Sequence, residues 1–245
     1  MSAVPILLFD REFDPEVLGH GSALDIRNIG PDRWGQLVSS CRASDLRLYH
    51  LTVPSLEGIQ GLRRTKALTL QWANKITTVD PVFEMDWLET LSIIDLPKLR
   101  SIAGVGRLQN LTKLTLSGNQ GSLNPPLRLE TLRPLVGLSR LERLSIQVLR
   151  LEDDDIKCIA SISTLRSLEL SNQFARDQFA YLAKNLNAQL EEPISAYREV
   201  GLACKECGAV SYMFTGRRQP ILCRTCDSAR FDKQVDAFEA LVAAA

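Results

Sequence analysis

Residues Leu111-Thr112-Lys113-Leu114-Thr115-Leu116 decide the reading of the chain. Leu114 and Leu116 bracket Thr115 in the alternation of a strand with one buried face. The same pattern, L-x-x-L-x-L, returns from Leu88 to Ile93, from Leu141 to Ile146 and from Leu165 to Leu170. Weaker copies stand at Leu68-Thr69-Leu70, Leu46-Arg47-Leu48 and Leu24-Asp25-Ile26, with a candidate further copy at Ile194-Ser195-Ala196. Aligned on Leu24, Leu46, Leu68, Leu91, Leu114, Leu144, Leu168 and Ile194, the spacings are 22, 22, 23, 23, 30, 24 and 26 residues. Between kernels the apolar residues recur at wider steps, as in Leu99, Ile102, Val105 and Leu108. That spacing suits a short helical or irregular return segment with its apolar side inward. One such unit cannot bury its own face, but stacked copies share a continuous core and a parallel sheet. Composition agrees: 36 of the 39 leucines precede residue 201 and aromatics are only 6%, the signature of many similar layers.

The kernel at Leu111–Leu116 runs on through Ser117-Gly118-Asn119-Gln120 and is followed by Leu132-Arg133-Pro134-Leu135-Val136-Gly137-Leu138. This segment resembles the leucine-rich repeats of bacterial internalins, and the resemblance extends over residues 20 to 198. It implies an α/β solenoid, an arc with a parallel β-sheet on its concave face. The expected organisation is an N-terminal cap over residues 1–20, about seven to eight repeats over 21–198, and a separate module over 199–245. Val4 to Phe9 reads as a capping strand and Pro15 to Leu18 as a turn or short helix, because the apolar end of a solenoid must be covered. The chain departs from the family pattern at the kernel-terminal Asn. Only Asn119 occupies that place, with Leu51, Leu96 and Leu149 in other repeats and Asn28, Asn74 and Asn172 one position off. The 30-residue repeat carries an insertion around Gly118–Pro126, read as a projecting loop.

Near the C-terminus, Cys204-Lys205-Glu206-Cys207-Gly208 and Cys223-Arg224-Thr225-Cys226 form two C-x-x-C knuckles separated by 15 residues. Two residues between thiolates let one turn aim both sulfurs at a single point, and Gly208 supplies the positive φ such turns favour. The spacing fits a four-Cys zinc site, and the segment resembles a zinc ribbon with Cys204, Cys207, Cys223 and Cys226 as ligands of one structural zinc. Four thiolates fill a tetrahedron and leave no open position for catalysis. Redox chemistry of a single C-x-x-C is the rival reading. The sequence between the knuckles allows a β-hairpin. Tyr212 and Phe214 with Arg217 and Arg218 either form a stacking and phosphate-binding tip, or fill the hairpin core beside solvated arginines. Residues 198–233 carry seven Lys/Arg and four Asp/Glu, and four thiolates with Zn²⁺ reduce that +3 to +1. Val235, Phe238, Leu241 and Val242 have helical spacing for packing on the ribbon or the last repeat.

Enzyme signatures are missing from the sequence. The two histidines, His20 and His50, adjoin no nucleophile, and no phosphate loop, dinucleotide fingerprint, nucleophile elbow or zincin motif occurs. Cys41 and Cys158 read as core residues, and Glu152–Asp155 as a solvated turn. The 29 basic and 29 acidic residues cancel, so no global field draws the chain to nucleic acid or an acidic membrane. The apolar run Val4–Phe9 lacks the flanks of an export signal. No window reaches the length of a membrane-spanning helix, and the cysteine clustering favours metal in a reducing compartment. The expected location is therefore cytoplasmic.

What remains is a surface. The residues between the buried pairs face outward: Asp25, Arg47, Thr69, Ser92, Thr115, Ser145, Glu169 and Ser195 in one column. Arg27, Tyr49, Gln71, Ile94, Ser117, Gln147, Ser171 and Tyr197 form the next. Arg27, Arg47, Tyr49, His50, Gln71 and Trp72 gather residue types enriched in protein-binding hot spots on the N-terminal half, unless Trp72 folds over the strand end as cover. The expected function is non-catalytic recognition of a protein partner by the concave face, with no small-molecule substrate. Family analogy adds a bacterial immunity, antitoxin-like role. The alternative is a nucleic-acid-associated adaptor acting through the ribbon.

Overall fold

The computed structural model describes residues 4–119, 121 and 126–245. Its main sheet holds eight parallel strands: β1 (Ile6–Leu8), β2 (Ala23–Ile29), β3 (Asp45–Leu51), β4 (Ala67–Gln71), β5 (Thr90–Ile94), β6 (Lys113–Ser117), β8 (Arg143–Gln147) and β10 (Ser167–Leu170). The register is that of the repeat. Leu24, Leu46, Leu68, Leu91, Leu114, Leu144 and Leu168 lie in one row, and Ile26, Leu48, Leu70, Ile93, Leu116, Ile146 and Leu170 in the next. Both rows are buried up to Ile146, whereas Leu168 and Leu170 at the end are only half-buried. A strand of period two gives one face to the core at every repeat, and the constant register stacks those faces into a single leucine spine.

Spacings of 22 to 24 residues leave little room for a long helix on the return path. Among the described returns between strands of the main sheet, only that from β2 to β3 is α-helical, α1 (Pro31–Ser40). Those that follow close in 3-10 turns at Ile59–Gly61, Asp80–Glu84, Val105–Arg107, Arg133–Gly137 and Lys157–Ser161, each burying at least one apolar side chain in the same core. The repeats are further linked where each strand begins. The carbonyls of Ser22, Ser44, Lys66, Glu89, Thr112 and Glu142 each accept two N–H groups from the following repeat.

At the N-terminus, β1 is shorter than the expected Val4–Phe9 and pairs with β2, while Phe9 is buried. A 3-10 turn covers Pro15–Leu18, and the Asp14 carboxylate accepts the Glu16 N–H at its start. In the 30-residue repeat, two short strands, β7 (Leu127–Leu129) and β9 (Leu149–Leu151), form a separate parallel pair. Of the expected loop Gly118–Pro126, positions 120 and 122–125 lie outside the described residues.

One kernel is not realised. Ile194-Ser195-Ala196 forms no strand of the sheet, which ends at β10. The chain starts an eighth repeat, since the Glu191 N–H bonds the Arg166 carbonyl as in every earlier step. It then peels away: the Asn187 amide accepts the Ile194 N–H at 2.8 Å and donates to the Ile194 carbonyl at 3.0 Å. Ser195 and Tyr197 therefore do not extend the outward columns.

Beyond α2 (Arg176–Leu186) the C-terminal module is a three-stranded antiparallel sheet, β11 (Tyr197–Ala203), β12 (Val210–Phe214) and β13 (Ile221–Cys223). It is followed by α3 (Ser228–Ala244). Phe214, Leu222 and Phe231 form its own small core, with Tyr197 and Tyr212 packed against them. Helix α3 bridges both bodies: Phe231 belongs to this small core, while Phe238 enters the leucine core, with Val235, Leu241 and Val242 against it. Among the described residues, no helix is long and apolar enough to cross a membrane.

Candidate metal centre and recognition face

The two knuckles meet at one point because β12 and β13 pair with Ser211 opposite Cys223. Each knuckle is a closed turn. The Gly208 N–H bonds the Cys204 carbonyl and the Asp227 N–H bonds the Cys223 carbonyl, both at 2.9 Å. Gly208 has the expected left-handed φ of 73°. The four sulfurs lie within 4.8 Å of one another, with Cys204 and Cys226 at 3.9 Å and Cys207 and Cys223 at 3.5 Å. Metal–thiolate bonds of ~2.3 Å in a tetrahedron separate sulfurs by ~3.8 Å, so the donor set fits one metal ion. Hydrogen bonding of the Cys223 sulfur by the Cys226 backbone N–H holds that thiol down at about 7. The neighbouring Cys207 thiol pushes Cys226 up to about 12.

The ribbon's hairpin turn is docked on the solenoid. The Asn172 amide donates to the Phe214 carbonyl at 2.6 Å and accepts the Gly216 N–H at 2.5 Å. The Arg217 N–H bonds the Phe174 carbonyl at 2.7 Å, and its Nη2 donates to both carboxylate oxygens of Asp154 at 2.6 and 2.7 Å. Gly216 adopts a φ of 111° with Arg176 so close that a Cβ would lie 2.7 Å from the arginine's own Cβ. Phe214 is completely buried, and Tyr212 packs edge-on to Phe231 with ring centres 5.6 Å apart. Of the two readings of this hairpin, the structure shows the aromatics as core and Arg217 as a docking residue, which removes the stacking tip.

On the concave face, parallel register places Asp25 beside Arg47, and Arg27 beside Tyr49 and then Gln71. Asp25 is buried and anchors the cluster. Its carboxylate accepts Arg27 Nε at 3.1 Å and Nη2 at 2.7 Å, and Arg47 Nη1 at 2.9 Å. Arg47 also donates Nη2 to Gln71 Oε1 at 2.7 Å. Both guanidiniums lie 5.2 Å from the centre of the Tyr49 ring, within cation–π range. Trp72 stacks on His50 with ring centres 4.1 Å apart and planes at 21°, and contacts Tyr49 at 5.5 Å. The Asn28 amide donates to Asp10, so its Oδ1 is left to accept, and His50 Nδ1–H donates to it at 2.8 Å. All six predicted residues therefore form one cluster on three adjacent strands and their ends. The sequence places Asp25 in the outward column, Asp154 in a solvated turn and Asn172 one position off the kernel Asn, whereas in the structure Asp25 is buried under two arginines and Asp154 and Asn172 hold the hairpin turn. Asp25 could have been found as the one acidic residue beside two arginines in adjacent columns.

Asn28, His50, Trp72 and Asp95 stand at matching strand ends and all are left-handed, with φ of 60°, 58°, 58° and 56°. Asn, Asp and His are enriched in that conformation, and a bulky indole adopts it rarely. At Trp72 the strain of roughly 1–3 kcal/mol is held by backbone hydrogen bonds, its N–H to the Ile94 carbonyl and the Leu51 N–H to its own carbonyl, both at 3.0 Å.

No family model matches the chain, and no curated protein matches it. Solved structures similar to it include an internalin of Listeria monocytogenes, 24% identical with a TM-score of 0.45, covering 61% of this chain and 61% of that one. A second internalin of the same organism is 19% identical with a TM-score of 0.45, covering 69% of this chain and 51% of that one. A leucine-rich-repeat protein of Leptospira interrogans is 19% identical with a TM-score of 0.47, covering 67% and 39% respectively. The chain thus spans less than two thirds of each of these neighbours. Strand register and repeat spacing make the chain a leucine-rich-repeat solenoid with a four-Cys module.

Proposed function

We propose that this protein is a non-catalytic recognition module that binds a protein partner through Arg27, Arg47, Tyr49, His50, Gln71 and Trp72. The observation that carries the reading is the Arg27–Tyr49–Arg47 arrangement, fixed from below by the buried Asp25. Side chains already held in place lose little entropy on binding, so aromatic and guanidinium contacts there convert efficiently into affinity. The four thiolates hold one structural Zn²⁺ per chain, which favours a reducing, cytoplasmic setting. The family resemblance supports an immunity, antitoxin-like role for the partner complex. Affinity measurements on Tyr49→Ala and Trp72→Ala test the reading: folded variants that keep full affinity for the partner would refute it.

A further inference from the structure

The open end of the sheet has a built-in vacancy for one strand. In a parallel sheet, alternate residues bond alternate neighbours. Ser167 and Ser171 send their N–H groups back to Glu142 and Ile146. Leu168 and Leu170 therefore turn both N–H and C=O away from β8, and among the described residues these four groups have no hydrogen-bond partner. The would-be eighth repeat does not meet them, because Asn187 holds the Ile194 backbone instead. Between β10 and the diverted segment lies a cavity of about 290 Å³, lined on its apolar side by Leu168, Leu170, Phe179 and Ile194. Glu169 and Glu192 also line it, against a single Arg198.

We propose that this cavity binds an extended segment of a protein partner as the ninth parallel strand of the sheet, with the side-chain order apolar–basic–apolar. Continuity with the seven existing strand pairs sets the register. The central residue of the guest occupies the outward column beside exposed Glu169, whose Oε2 already accepts from Ser145 at 3.0 Å and marks the carboxylate's position. That residue is a Lys or Arg. Its N–H donates to the Leu168 carbonyl and its C=O accepts the Leu170 N–H. The flanking apolar side chains cover Leu168 and Leu170, which every earlier repeat has covered by its successor. This site is independent of the N-terminal face and stands or falls separately from it.

The test uses the full metal-loaded chain and amide hydrogen exchange, with the acetylated, amidated peptide Ser-Val-Lys-Val-Thr as probe. In the free protein Leu168 and Leu170 should exchange at least about tenfold faster than Leu144 and Ile146, which hold the same rows one strand inward. Saturating peptide should slow Leu168 and Leu170 by about tenfold or more, and N-methylation at its lysine should abolish the effect. Glu169→Lys should transfer the preference to the peptide with Glu in place of Lys. Three results would overturn the proposal: equal protection of all four amides in the free chain, no peptide-dependent slowing at millimolar concentration, or protection arising from concentration-dependent dimers joined edge to edge.

Discussion

The indole of Trp72 lies on the imidazole of His50, 4.1 Å between ring centres, although both residues are held at a φ of 58°. The indole is the costly member of the pair, since Asn28, His50 and Asp95 hold the same conformation with residue types enriched in it. Trp72→Asn separates the two roles. Asn recovers the left-handed strain while the aromatic contact, ~0.5–1.5 kcal/mol, is lost, so unfolding free energy should change by no more than about 1 kcal/mol. Urea denaturation checks this, and a loss of several kcal/mol would make Trp72 structural cover.

Metal removal should act first on the C-terminal module. Chelation of the purified chain should release one zinc and expose residues 197–245 to limited proteolysis, while amides of β2 to β6 stay protected. Because Phe238 sits in the leucine core, protection in α2 should fall as well. Metal analysis giving no zinc, with four freely titrating ribbon thiols in the untreated protein, would contradict this.

Docking of the ribbon should depend more on shape than on charge. The Arg217–Asp154 pair is about half exposed on both sides, so a double-mutant cycle should give ~0.2–1 kcal/mol. Gly216→Ala must accept both a left-handed φ and a Cβ driven into Arg176, and should cost more, about 1–3 kcal/mol. Denaturation of the metal-loaded variants ranks them.

Cys158 offers an internal control. Burial, and then the charge of Asp155, pushes its thiol up to about 11. A raised value keeps the thiol protonated below it, leaving roughly one thiolate in a thousand at pH 8. In the folded, metal-loaded chain iodoacetamide should therefore spare Cys158 at pH 8, and mass spectrometry should find it alkylated only after denaturation.

The solenoid was legible because its signal is periodic: the kernel rows from Leu24 to Ile146 answer to the same burial, and spacing alone carries the alignment on to Leu168 and Leu170. The knuckles were legible because ligand spacing is local. Ribbon docking was not, since Arg217 finds Asp154 across 63 residues of chain with no pattern linking them. Ile194 misled for the opposite reason. Its neighbourhood has the right spacing, and only Asn187, seven residues earlier, diverts it from the sheet. At the strand ends, Asn28, His50 and Asp95 are residue types enriched in the left-handed conformation, while Trp72 conceals it under a type that avoids it.

The most direct test of the central claim compares partner affinity for four folded variants on one concave face. Tyr49→Ala and Trp72→Ala should each weaken a partner captured by the full chain by about thirtyfold, equivalent to ~2 kcal/mol. Ser145→Ala and Ser171→Ala should change it by less than about twofold. If circular dichroism shows all four folded and the two aromatic variants bind as tightly as the unaltered protein, the partner does not bind the N-terminal face.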